Sequence, residues 1–180
     1  MSLSVFVTVS IVEQIPLLPT LSAKEHANWW YLSLFERIKM DTLVVGIDVG
    51  GQTSKLGVVD ARGTVLAQTV IRTDTYSDVA PYIAELADAV RKVIKEAGAE
   101  GKVRGVGVGA PNGNYYTGAI ESAPNLPWAH DKVEFAKLLS EALGGLPVAL
   151  TNDANAAAVG EMTYGAARGM KNFIMITLGT

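Results

Sequence analysis

The sequence predicts an α/β layer fold, helices covering a sheet of short strands, and three observations carry that prediction. Short Val, Ile and Leu runs bounded by glycine read as buried strands. The first three of these runs are separated only by turns, as in a meander. After Arg72 the apolar period lengthens to three and four residues, and from there strands alternate with amphipathic helices.

The first element, Leu43 to Asp60, reads LVVGIDVGGQTSKLGVVD: two apolar runs joined at Gly50-Gly51-Gln52. Glycine visits φ > 0 freely and lets backbone approach a ligand closely. Such a turn would aim amide N–H groups, the Thr53 and Ser54 hydroxyls and Lys55 at a common point, a seat for phosphate. Asp48, at the strand end, would then hold a hydrated Mg²⁺. The same residues also suit an ordinary tight hairpin with an exposed aspartate. Neither G-x-x-x-x-G-K-[ST] nor G-x-G-x-x-G is present at this turn.

Asp60-Ala61-Arg62-Gly63 turns the chain into a third strand, residues 64–72. From about Ser77 to Ala97 the inward positions Val79, Ile83, Leu86, Val90, Val93 and Ile94 predict a helix. Ser77 or Asp78 caps it, Pro81 sits in its first turn and Gly98 ends it. Val103 to Val108 is a glycine-containing strand leading into Gly109-Ala110-Pro111-Asn112-Gly113. Residues 114–129 are polar, aromatic and turn-rich. A second helix is predicted over Asp131–Leu143, with Phe135, Leu138, Leu139 and Ala142 inward, ended by Gly144 and Gly145. A strand over Leu146–Leu150, an alanine-rich helix from Asn152 to about Tyr164 and a last strand over Phe173–Thr177 complete the pattern.

Composition narrows the function classes. With 180 residues, 49% of them hydrophobic, the chain can bury one good core, possibly with an appendage. A net charge of −3 invites neither nucleic acid nor an anionic membrane, and the absence of cysteine removes disulfides and thiolate metal sites, which fits a cytoplasmic protein. Met1 to Leu21 is broken by Glu13, Pro16 and Pro19 and has no basic n-region, so neither a signal peptide nor a membrane span is expected. Residues 1–39 share no periodicity with the chain from Met40 onward. They are expected to be an extension outside the domain, Met40 being the natural start, although the cluster Trp29-Trp30-Tyr31 would also suit a docking segment.

Asp153 is the leading catalytic candidate. It falls at a strand-to-helix junction, where open α/β sheets place their ligands, and a helix N-terminus keeps a carboxylate ionised and able to accept a proton. An ordinary aspartate in a first helical turn would look the same. Asn152 beside it can orient a hydroxyl-rich ligand. His130 has no carboxylate or metal partner in sequence and reads as solvent-facing.

Five spaced motifs from Met40 to Thr180 resemble the repressor–ORF–kinase (ROK) family of sugar kinases, within the actin-like ATPase superfamily, its glucokinase-like members above all. Asp48-Val49-Gly50-Gly51-Gln52 is similar to the family's phosphate loop D-x-G-G-T, with Gln52 at the threonine position. Gly105 to Pro111 resembles its G-x-G-x-G-x-P run, and Pro124-Asn125-Leu126-Pro127-Trp128 its sugar loop, one glycine shorter. Asn152 to Glu161 matches N-D-A-N-A-A-A-x-G-E, and T-L-G-T-G-x-G begins at Thr177.

The resemblance implies the N-terminal domain of an actin-like ATPase (ribonuclease H-like) fold, a mixed sheet flanked by helices, over residues 40–180. It implies ATP and Mg²⁺, with Asp153 as the base that deprotonates a sugar hydroxyl. Asn125 and Asn152 would bind the sugar, with Asn112 and Gly113 lining the pocket. Gly50, Gly51, Gln52 and Thr53 would wrap the phosphates, Asp48 would meet the metal, and Gly179 and Thr180 would open a second phosphate loop cut short here. Glu161 is implied to be structural. The family's zinc motif would lie in the C-terminal half, which these residues do not include. A sugar and ATP are the implied partners, with no nucleic acid or membrane and with a homodimer left open. The expected activity is ATP-dependent phosphorylation of a hexose, glucose first. The alternatives are a sugar-sensing transcriptional regulator, for which residues 1–39 are too short and too poor in Lys and Arg, and a non-catalytic sugar-binding fragment.

Overall fold

The computed structural model describes residues 42–176. Leu43–Val49 (β1) and Thr53–Asp60 (β2) form the predicted hairpin, and Val65–Arg72 (β3) continues the meander. Val79–Glu96 (α1) leads to Val103–Ala110 (β4), and Gly113–Asn114 (β5), Ala119–Glu121 (β6) and Lys132–Val133 (β7) come next. Phe135–Ala142 (α2), Val148–Asn152 (β8) and Asp153–Tyr164 (α3) complete the order.

The main sheet runs β3-β2-β1-β4-β8. β1, β2 and β3 pair antiparallel, whereas β1, β4 and β8 are parallel, so the sheet is mixed. β5, β6 and β7 make a second, small antiparallel sheet. One face of the central strands carries the core: Val45, Ile47, Leu56, Val58, Val106, Val108 and Leu150 lie side by side in the register and are all buried. α1 packs over β2 and β3 and against α2, while α3 packs against β4 and β8. Among the described residues no helix is long and apolar enough to cross a membrane.

α1 is built as predicted. The Asp78 carboxylate accepts from the Ala80 N–H at 3.3 Å, and Gly98 at φ 60° turns the chain out after Ala97. Three expectations need correction. The second helix starts at Phe135, not Asp131, because Lys132 and Val133 pair with Glu121 and Ile120 of β6, and that pairing carries Val133 into the core. Ala142 is exposed, lying on the outer side of this shorter helix. Residues 173–176 form no strand, for they add to neither edge of the sheet, and Ile174 and Ile176 stay largely exposed. An apolar alternation becomes a strand only where a neighbour accepts its hydrogen bonds. The extension over residues 1–39, with its Trp29-Trp30-Tyr31 cluster, lies outside the described residues, as do Gly179 and Thr180.

Candidate active site at the carboxyl ends of the parallel strands

Because β1, β4 and β8 run in the same direction, their carboxyl ends open on one edge of the sheet. The register places Asp48 beside Gly109 and Ala110 beside Asn152. Three predicted segments, 48–53, 112–113 and 152–153, therefore emerge side by side, where open α/β sheets place ligands.

The Gly50-Gly51-Gln52 turn is held at both ends. The Gly50 N–H donates to the Thr53 carbonyl at 3.1 Å, and the Thr73 N–H donates to the Gln52 carbonyl at 2.9 Å. Neither glycine adopts the left-handed conformation expected of it. What requires glycine is close approach: a Cβ on Gly50 would stand 2.9 Å from the Thr53 carbonyl oxygen, and one on Gly51 would stand 2.9 Å from that of Asn125. The turn and the Asn125 loop are in direct backbone contact. Asp48, half-buried, faces Lys55 across the hairpin.

Asn112 adopts φ 51°, its Nδ2 donates to the Ser122 carbonyl at 2.8 Å, and its own carbonyl accepts from the Glu121 N–H at 3.1 Å. It shapes the loop as well as lining a groove of about 440 Å³, which it shares with Gly113, Tyr116, Glu121, Thr151 and Asn155. Gly113 is obligatory there, since a Cβ would stand 2.5 Å from the Thr151 carbonyl oxygen.

Asn152 caps α3: its Oδ1 accepts from the Ala154 N–H at 3.0 Å and the Asn155 N–H at 3.4 Å. The cap commits the oxygen and leaves the Nδ2 amide to donate elsewhere. Asp153 is exposed, with one carboxylate oxygen, Oδ1, accepting from the Ala154 N–H at 2.7 Å. Glu161 Oε2 accepts from the Ala166 N–H at 2.9 Å just beyond the helix. His130 is exposed.

Asn125 is exposed on a loop anchored by two apolar side chains: Leu126 is fully buried and Trp128 nearly so. The Trp128 ring stacks on Tyr82, with centroids 4.5 Å apart, and meets Phe135 at 5.8 Å, while Tyr82 and Phe135 lie 6.3 Å from each other. Its indole N–H is buried without a partner, so stacking and burial alone hold it. Sequence reasoning missed this aromatic stack, and it missed Tyr82 in particular. The signal was present, since Tyr82 precedes Ile83 and lies on the inward stripe of α1. It also missed Thr151 and Asn155, which line the groove.

Among the described residues no three His, Asp or Glu side chains gather to hold a metal. A single carboxylate at the strand end before the glycine turn, Asp48, nonetheless fits Mg²⁺, which usually keeps several waters and takes one or two carboxylates. A second hollow of about 320 Å³, lined by Ala167, Met170, Phe173 and Ile176 among others, is mainly apolar and holds none of the predicted binding or catalytic residues.

The model of the ROK family matches residues 44–180. A glucokinase of Streptomyces coelicolor is 36% identical over 139 residues, which are 77% of this chain and 41% of that protein. The chain thus spans about two-fifths of the length of that curated relative. Among solved structures, a ROK hexokinase from Thermus thermophilus superposes with a TM-score of 0.60 at 36% identity, over 71% of this chain and 41% of that one. A ROK family glucokinase from Streptomyces griseus, solved with glucose and AMPPNP, superposes with a TM-score of 0.55 at 32% identity, over 71% and 38%. The mixed sheet flanked by helices is the actin-like ATPase fold of these sugar kinases.

Proposed function

The chain belongs to the ROK family, and on that premise we propose that it is the N-terminal part of an ATP-dependent hexose kinase that converts glucose to glucose 6-phosphate. The observation that carries this reading is the convergence of Asp48–Thr53, Asn112–Gly113 and Asn152–Asp153 at the carboxyl ends of three adjacent parallel strands, with Asn125 against Gly51.

In this reading the Asn125 side chain and the Asn152 Nδ2 amide hydrogen-bond the sugar at the strand ends beside Gly113. The outward oxygen of Asp153 takes the proton of the attacking hydroxyl. The hydroxyl oxygen forms its bond to the γ-phosphorus, the bond from that phosphorus to the β–γ bridging oxygen breaks, and ADP leaves. Backbone at Gly50, Gly51 and Gln52 and the Thr53 hydroxyl cradle the terminal phosphates. Gly179 and Thr180 would add a second phosphate contact. Asp48 would hold Mg²⁺ through water, and that ion would supply neutralisation of phosphate charge. Little covalent work falls to the protein, so positioning dominates.

Residues 1–39 are an extension in this reading, and a chain starting at Met40 is expected to match the 180-residue chain in thermal midpoint; a fall of many degrees would place them in the core. Asp153→Asn tests the chemistry. In a ROK kinase carrying this segment, turnover should fall by about 10²–10⁴-fold while sugar affinity changes little. Turnover equal to that of the parent would remove Asp153 as the base.

A further inference from the structure

The turn assigned to phosphate is braced from behind by three hydroxyls. Ser54 on β2, Thr73 between β3 and α1, and Tyr82 on α1 are each fully buried. Ser54 Oγ lies 2.7 Å from both Thr73 Oγ1 and Tyr82 Oη, so the three hydroxyls form a cluster centred on Ser54. The central Ser54 hydroxyl can donate to one neighbour and accept from the other, so both of its contacts are met without water. Burial raises the Tyr82 phenol far above its ordinary range, so it stays protonated and able to donate.

Two links run from this hydroxyl cluster to the candidate site. The Thr73 N–H donates to the Gln52 carbonyl, so a member of the cluster also holds the tip of the turn. The Tyr82 ring stacks on Trp128, three residues beyond Asn125, and the Asn125 carbonyl fills the space where Gly51 would carry a side chain. Turn and loop thus meet directly at their tips and are joined again at their bases through Ser54, Tyr82 and Trp128. Apolar groups of the same shape could fill such a site at nearly equal stability. Hydrogen bonds add direction, which fixes one element against another.

We propose that Ser54, Thr73 and Tyr82 are positioning residues that set the Gly50–Gln52 turn against the Asn125 loop, and so couple phosphate binding at the turn to sugar binding at the loop. The coupling rests on the kinase reading above; the positioning does not.

The test uses the 180-residue chain. Tyr82→Phe and Thr73→Val each remove one hydroxyl at nearly constant volume, whereas Thr73→Ser keeps it. Amide hydrogen exchange is read at Gly50 and Thr73, whose N–H groups donate to the Thr53 and Gln52 carbonyls, and compared with the centres of β1 and β4. Exchange at those two amides is expected to be about tenfold faster in the first two variants, the factor one lost buried hydrogen bond is worth, and unchanged in Thr73→Ser and in the sheet centre. Unchanged exchange at the turn overturns the positioning, as does the uniform acceleration a pure packing role would give. A second arm titrates Mg·ATP with and without glucose. Tyr82→Phe should reduce the effect of glucose on Mg·ATP affinity by several-fold. An effect equal to that of the parent overturns the coupling. A parent chain that binds neither ligand overturns the coupling in this chain, while the exchange arm still decides the positioning and the Asp153→Asn test still decides the kinase reading.

Discussion

The two helices nearest the site are built on opposite terms. α1 buries seven residues along one stripe, including Tyr82, Leu86, Val90 and Val93, and it reaches the site only indirectly, through Tyr82. α3 buries only Ala156 and Gly160, yet it carries Asp153 at its first position. Polar contacts at the two ends compensate for that shallow seat. Asn152 caps the start, and the Tyr164 phenol donates to the Ala61 carbonyl at 3.1 Å in the β2–β3 turn. Small side chains let α3 lie close to β4 and β8 while its N-terminus stays open. The helix that makes the core and the helix that presents the carboxylate are therefore different, and a carboxylate can face solvent without cost to the core.

That contrast can be broken by experiment. Leu86→Ala removes a fully buried side chain at the centre of α1 and should cost about 2–5 kcal/mol, read from denaturant unfolding. Asn152→Ala removes the cap of α3 and should cost about 1 kcal/mol, with faster amide exchange confined to the first turn of that helix. Met162→Ala, on the outer side of α3 at 46% exposure, should stay within about 0.5 kcal/mol of the parent. Equal losses for Leu86 and Met162 would erase the distinction. A loss at Asn152 as large as that at Leu86 would mean that α3 is a core element.

Much of this arrangement is legible in the residues, and the exceptions have physical causes. The hairpin Leu43–Asp60 and the helix bounded by Asp78 and Gly98 announce themselves through local pattern and turn chemistry. The family motifs point to the strand ends, and the register brings those segments together. The reason for Gly51 is not legible, since the Asn125 carbonyl that excludes a side chain comes from a loop over 70 residues away. The stack of Tyr82 on Trp128 is likewise non-local. β5 and β7 are two residues each, too short for any period to show, and β7 consumes what reads as the first turn of a helix. At Phe173 the apolar pattern is real but finds no strand to pair with.

The central claim is that three strand ends and one loop form a single sugar and phosphate site. The most direct measurement is an NMR titration of the 180-residue chain, following backbone amides with glucose first and AMPPNP with Mg²⁺ second. Glucose should shift Gly113, Asn125, Asn152 and Asp153, and the nucleotide should then shift Gly50 to Thr53. Shifts confined to the apolar hollow around Met170 and Phe173, or none at millimolar ligand, would contradict it.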